Sequence, residues 1–402
     1  MYRPQQVYHY GLPLKKRIIN RIERFNKILS LRILGKLLRI KPQTSPVLLK
    51  DVNSILIIRY DALGDMIVTT PLWRILKRLK PSIKIGVAGS SKNLGLLRDD
   101  SDIDVLYDYS AQSFSDFFRI TKNTRQGNWD IVLMCKFNQK TRGALISRLS
   151  SPKGITATIG SPNTEGHQAL FSRLISLPKP DKEMPMTEQL QFLLRSVIEL
   201  PITEVERPSI MVSPKTEEVT LKAINEILER HKVSTYVVLN TDAPTVRKWG
   251  TENNIQLAEY VSSQHNDLMV MITSLPENQN EWESAIITKN LQRVHYFPTK
   301  DILELTILIR YSRLVITPDT GTAHIVSAEE KPIVGLYPEA GEWLPFDIPS
   351  YIIIPKPGEL INTIPVTLVA KAVTTMLSEE QLDVNNTVRI VRCEEPMKIE
   401  LR

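Results

Sequence analysis

From Ser54 to Leu336 short apolar runs alternate with longer amphipathic stretches, and the whole series occurs twice. Strands are expected at 54–59, 83–88, 103–107, 129–135 and 154–159, with helices near 66–80, 113–124 and 138–149, and a longer helix at 187–199. The second series has strands near 235–240, 267–273, 293–297, 313–317 and 332–337, with helices near 215–231, 251–264, 277–289, 301–311 and 322–330. Parallel neighbours need a crossover connection, so this alternation selects a parallel sheet with helices on both faces. Two series of similar size predict two doubly wound α/β domains, joined near the cluster Pro201, Pro208 and Pro214. Such sheets bind ligands outside the carboxyl ends of their strands, so function is sought in the segments that follow the strands and in the cleft between the domains.

Length agrees with this division, since 402 residues exceed one ordinary core. The net charge of +7 is misleading, because it is local. Residues 1–50 hold twelve of the 51 Lys and Arg but only one acid, Glu23, of 44, which leaves 39 basic against 43 acidic side chains elsewhere. The body therefore lacks the excess positive charge of a nucleic-acid binder. Cys135 and Cys393 are the only cysteines, which excludes a disulfide framework and fits a reducing compartment. No apolar run is long enough for a transmembrane helix.

Within the basic segment, Leu14, Ile18, Ile22, Phe25, Leu29, Ile33, Leu37 and Ile40 recur at steps of three and four. Lys and Arg fill the flanks from Lys15 to Arg39. An apolar stripe with basic flanks describes a helix over 14–40 that lies on an anionic membrane surface. The plainer alternative is a helix packed on the protein's own surface. Lys41 to Pro46 reads as a linker.

Three stretches carry chemistry. The run Ile55–Pro71, ILIIRYDALGDMIVTTP, is a buried strand followed by a turn with Asp61, Gly64 and Asp65 and then a helix. A carboxylate beside a glycine at this place is either a site residue or an ordinary turn with a capping Asp. The run Leu314–Leu336 passes from a strand through Pro318-Asp319-Thr320-Gly321-Thr322 into a helix. Backbone N–H groups at a helix start, with Gly321 allowing close approach, two threonine hydroxyls and His324 one turn in, make an anion site, unless Asp319 and Thr320 merely cap the helix. The run Val237–Trp249 ends a strand at Asn240 and places Arg247 and Lys248 before a helix, where two cations suit a diphosphate. Trp249 reads as packing. A further segment, Tyr337–Pro345, offers Glu339 or Glu342 to ribose hydroxyls. The glycine-rich dinucleotide and P-loop signatures are absent, as is a nucleophile elbow, and the six histidines have no metal-ligand spacing.

Arg59-x4-Gly64-Asp65-x4-Thr70-Pro71, the Arg247-Lys248-Trp249 loop and Asp319-Thr320-Gly321-Thr322-Ala323-His324 together resemble glycosyltransferase family 9, the heptosyltransferases that act on lipopolysaccharide core with ADP-heptose. The resemblance covers roughly residues 52–375. It implies a GT-B architecture of two facing Rossmann-like domains, here preceded by the basic helix. The implied division is 1–46 helix and linker, 47–205 acceptor domain, 206–365 nucleotide-sugar domain, and 366–402 a C-terminal helix (Val366–Leu377) crossing back to the first domain, with a tail. The implied reaction is inverting and needs no metal or other cofactor, the donor being a nucleoside diphosphate sugar. Asp65 matches the catalytic base. Thr320, Gly321, Thr322 and His324 match the phosphate loop, with Asp319 at its entrance. Arg247 or Lys248 matches the cation on the diphosphate, Asn240 lies beside it, and Arg59 and Gly64 fall on the acceptor side. The chain departs from the family pattern at Asn240-Thr241-Asp242-Ala243, at Met184–Gln189 and in segment 1–46.

These readings predict a cytoplasmic enzyme at the inner face of the membrane. It would transfer a sugar to a hydroxyl of a lipopolysaccharide-type glycolipid or polysaccharide. The rival is a non-catalytic protein of the same fold that binds sugar nucleotides or scaffolds a membrane assembly. In the enzyme reading Asp65 is the base and Asp61 a turn residue.

Overall fold

The computed structural model describes residues 28–38, 40–110, 113–137, 141–160, 167–180, 183–201, 203–378, 388–393 and 400–401. The first series folds as β1 (Ser54–Ile58), α1 (Leu63–Ile67), α2 (Pro71–Leu79), β2 (Lys84–Gly89), β3 (Val105–Asp108), α3 (Phe114–Arg125), β4 (Ile131–Met134), α4 (Thr141–Ser150), β5 (Ile155–Ile159), β6 (Arg173–Ile175) and α5 (Met186–Val197). Its six strands form one parallel sheet in the order β3-β2-β1-β4-β5-β6. β1 and β4 are buried along their whole length, as strands covered by helices on both faces must be.

The second series gives α6 (Pro214–His231), β7 (Thr235–Asn240), α7 (Thr251–Gln264), β8 (Leu268–Thr273), α8 (Gln279–Thr288), β9 (Val294–Tyr296), α9 (Ile302–Arg310), β10 (Val315–Pro318), α10 (Gly321–Ala328), β11 (Ile333–Leu336), β12 (Ser350–Ile354), α11 (Val366–Ser378), β13 (Val388–Arg392) and β14 (Glu400–Leu401). The sheet order is β9-β8-β7-β10-β11-β12-β13-β14, parallel except for the last pair. In each sheet the first strand lies next to the strand where the order reverses, β1 beside β4 and β7 beside β10. That reversal opens a crevice at the carboxyl ends, and the motifs follow these strands.

Three expectations change. The helix expected at 66–80 is two helices. Thr69 and Thr70 turn their hydroxyls back onto the Asp65 and Ile67 carbonyls (2.7 and 2.8 Å), and Pro71, which lacks an N–H, opens α2. The helix expected to cross back to the first domain stays on the second. Val369, Ala372, Val373, Met376 and Leu377 of α11 are buried in the second core, against α7, β11 and β12. The chain after it adds β13 to that sheet, so the apolar face of α11 is used locally.

The third change concerns the N-terminal helix. Residues 28–37 are helical, while 14–27 and 39 of the expected span lie outside the described residues. Leu31 is buried in the first core, Leu34, Leu38 and Ile40 pack beside it, and Gly35 lies against Ala169. Apart from Ile40, this docking face is not the stripe read from the sequence. Leu29, Ile33 and Leu37 of that stripe are 46%, 51% and 72% exposed, next to the exposed Arg32 and Lys36. No helix among the described residues is long and apolar enough to cross a membrane.

The two halves meet broadly. Arg98 pairs with Asp301, the cap of α9, at 2.8 Å. The Ser213 N–H donates to Asp99 at 2.8 Å, and the Met186 N–H to the Glu342 carbonyl at 3.0 Å. The closest approach relevant to function is α1 against α10.

Candidate active site

After β1 the chain leaves the sheet through Arg59, Tyr60 and Asp61 and enters α1. Asp65 sits at the third position of this helix, where its Oδ2 accepts the Ala62 N–H at 2.9 Å. Its other oxygen pairs with Arg59, and the carboxylate is only 4% exposed. Arg59 is 2% exposed and spends every end of its guanidinium. One nitrogen pairs with Asp65, another donates to the Cys135 carbonyl at the end of β4, and Nε lies 3.0 Å from Asp61 Oδ1. Arg59, which the sequence places on the acceptor side, is therefore an internal counter-ion. The reason is the sheet order, which sets β4 beside β1 and closes a carbonyl over the arginine.

Asp61, read as a turn residue, belongs to the same cluster. Its side chain is 5% exposed and faces Lys136 Nζ at 3.8 Å. Burial pushes its carboxyl up, Arg59 opposes this and Asp65 adds to it. Lys136 lies over the Tyr60 ring (4.9 Å to the centroid), which in turn stacks on Tyr109 with centroids 4.1 Å apart. Sequence reasoning missed Lys136, Tyr60 and Tyr109 as site residues. The available signal was that Tyr60 and Lys136 directly follow expected strands and Tyr109 stands two residues past one.

The partner motif follows β10. Thr320 is the N-cap residue of α10 but makes no side-chain cap. Its Oγ1 lies 3.4 Å from both Asn240 Nδ2 and Thr317 Oγ1. Asn240, buried at the end of β7, also donates to Thr317 at 2.9 Å. Asp319 is paired with Arg247 at 2.9 Å, and the same arginine donates to the Asp319 carbonyl. Capping thus does not explain Asp319 or Thr320. The N–H groups of Gly321 and Thr322 stand in the first turn, where helices lack intrahelical acceptors and attract negative charge. Lys248 is exposed and acts on the Asp242 carboxylate, and Trp249 is buried with its Nε1 donating to the Ile364 carbonyl at 2.9 Å, a packing role as expected. Asp242 is bound by the Asn278 side chain at 3.2 Å, and burial pushes its carboxyl up to about 6.

The motifs touch across the cleft. A Cβ placed on Gly64 would lie 2.4 Å from His324 Cδ2 and 3.4 Å from the Gly321 Cα, and one on Gly321 would lie 3.3 Å from the Gly64 nitrogen. Gly64 therefore serves the contact between the domains. His324, expected on a phosphate, lies with its ring edge against Gly64 and in a T-shaped contact with Trp343, centroids 5.8 Å apart. Burial pushes its imidazole down to about 4, with Asp65 opposing, so it is neutral at neutral pH. A buried carboxylate of one domain thus stands beside a helix N-terminus of the other. No metal-type cluster of His, Cys, Asp and Glu occurs among the described residues.

Residues 117–342 match the model of glycosyltransferase family 9 (heptosyltransferase). A putative glycosyltransferase of Haemophilus influenzae is 23% identical over 299 residues, covering 72% of this chain and 83% of the relative. Among solved structures, a family 9 glycosyl transferase of Veillonella parvula superposes with a TM-score of 0.67 at 18% identity, over 84% of this chain and all of the other. The ADP-heptose lipopolysaccharide heptosyltransferase II of E. coli superposes with a TM-score of 0.64 at 18% identity, over 81% of this chain and 99% of the other. The arrangement of two facing doubly wound units is that of these structures.

Proposed function

The chain belongs to glycosyltransferase family 9, and on that premise we propose that it moves a heptose-type sugar from a nucleoside diphosphate donor to a hydroxyl of a lipopolysaccharide-type acceptor. One observation carries the reading: the Asp65 segment and the start of α10 stand face to face, in contact through Gly64 and Gly321. Asp65 takes the proton as the acceptor hydroxyl attacks the anomeric carbon. The diphosphate departs from the opposite face, so the configuration inverts. The Gly321 and Thr322 N–H groups, with Arg247 and Lys248, meet the charge that develops on it. In this proposal no metal takes part. Arg247 would exchange part of its ion pair with Asp319 for the diphosphate.

The test is a thermal-shift panel of nucleotide sugars, followed by transfer assays with the donor that binds. A ligand at a hundredfold its Kd adds about 2.7 kcal/mol of stability. ADP-heptose is expected to raise Tm and to donate its sugar to a lipopolysaccharide-core acceptor. If no nucleotide sugar stabilises the protein, and none is hydrolysed or transferred, the non-catalytic alternative takes its place.

The proposal also sets residues 14–40 on the inner face of the cytoplasmic membrane, close to a lipid-linked acceptor. It is supported by Leu29, Ile33 and Leu37, left outward beside Arg32 and Lys36 while the opposite face docks. Full-length protein should float with anionic liposomes and a form lacking residues 1–45 should not. Equal flotation of the two forms removes this part of the proposal.

A further inference from the structure

Two buried carboxylates share one guanidinium. Arg59 meets Asp65 through a terminal nitrogen and Asp61 through Nε at 3.0 Å, and Lys136 approaches Asp61 from the end of β4 at 3.8 Å. Four charges thus sum to zero, three of them on side chains no more than 5% exposed and the fourth, Lys136, at 23%. The other titratable groups facing them are Tyr60 on the same loop, Cys135 beside Lys136, and His324 from the second domain. Arg142 of α4 also acts on Tyr60.

The two carboxylates are not equivalent. Asp65 is fixed by the Ala62 N–H as well as by Arg59. Asp61 feels its own backbone N–H, but its Oδ1 has no hydrogen-bond donor and meets Arg59 Nε by charge alone. A carboxylate that faces an undivided guanidinium is a weaker base than one that shares it, and proton transfer slows as the base weakens.

We propose that Asp61 is a positioning residue for Asp65: it keeps Arg59 between the two carboxylates and withholds part of its charge from Asp65. Asp65 thereby faces only part of the guanidinium, while its Oδ2 is held by the Ala62 N–H. Lys136 sets the balance from the other side by neutralising Asp61. The inference rests on Asp65 being the base, and adds to that reading a residue whose removal changes the base without touching a substrate.

The test uses protein labelled with 13C at the aspartate carboxyl carbon, with the Asp65 resonance identified by its loss in Asp65→Asn. In Asp61→Asn the Asp65 titration midpoint is expected to fall by about one pH unit, as Arg59 turns wholly to Asp65. In Lys136→Met, which frees Asp61 to hold Arg59 more strongly, the midpoint is expected to rise. With a working donor and acceptor, Asp61→Asn should lower kcat about tenfold and shift the acidic limb of the pH–rate profile downward, with the donor KM unchanged. Asp61→Glu should restore part of the rate. An Asp65 resonance unmoved by Asp61→Asn and by Lys136→Met overturns the proposal, and Lys136→Met alone decides if Asp61→Asn does not fold. A moved resonance with an unmoved rate profile instead removes Asp65 as the base.

Discussion

Asp65→Asn is expected to lower kcat by about 10²- to 10⁴-fold while donor binding survives, the span that a positioned general base contributes. Asparagine has nearly the shape of aspartate and its carbonyl still accepts the Ala62 N–H, so α1 keeps its start. Arg59 loses one carboxylate but retains Asp61 and the Cys135 carbonyl, and no charge is left without a partner. The amide simply cannot take a proton. The donor elements lie on the other domain, so the nucleotide-induced rise in Tm should equal that of the unsubstituted protein. Turnover retained in this variant takes Asp65 out of the mechanism. Loss of both turnover and the Tm rise points instead to a damaged fold.

Gly64→Ala is expected to cost about 1–3 kcal/mol of stability and at least about tenfold in kcat/KM, through the contact between domains. The added methyl carbon would stand 2.4 Å from His324 Cδ2, well inside contact distance. The imidazole has little room to retreat, since it is buried and packed edge-on against Trp343. Two packed elements cannot both stay, so α1 and α10 must separate, and Asp65 moves away from the anion site. Closure is lost while each half keeps its own core. Nucleotide binding should persist, and small-angle scattering should report a larger radius of gyration. Combining Gly64→Ala with His324→Ala should recover part of the compactness. A single variant as compact and active as the original protein would show that the glycine contact does not govern closure.

Much of the fold is legible locally. The runs expected at 54–59, 129–135 and 235–240 are mostly apolar because both faces of a parallel strand are covered, and they became β1, β4 and β7. Helix starts such as Asp301 and Ser213 carry their own caps. The strands β12 and β13 escaped because no second regular helix-strand alternation frames them. The face of the N-terminal helix was misjudged for a similar reason. Leu31, Leu34 and Leu38 are as apolar as Leu29, Ile33 and Leu37, and spacing alone does not say which row meets a partner.

The same division runs through the site. By itself the sequence determined the strand-helix alternation, the place of Asp65 after β1 and of Asp319–His324 after β10, because periodicity and turn chemistry act over a few residues. Tertiary structure alone decided that Arg59 is an interior ion and that Asp61 and Lys136 join it. It also set Gly64 against His324, and kept α11 on the second domain. Apart from Arg59 with Asp61, those are meetings of residues far apart in the chain. They depend on which strands are neighbours, in what register, and on how two domains close, and no local pattern encodes such distances.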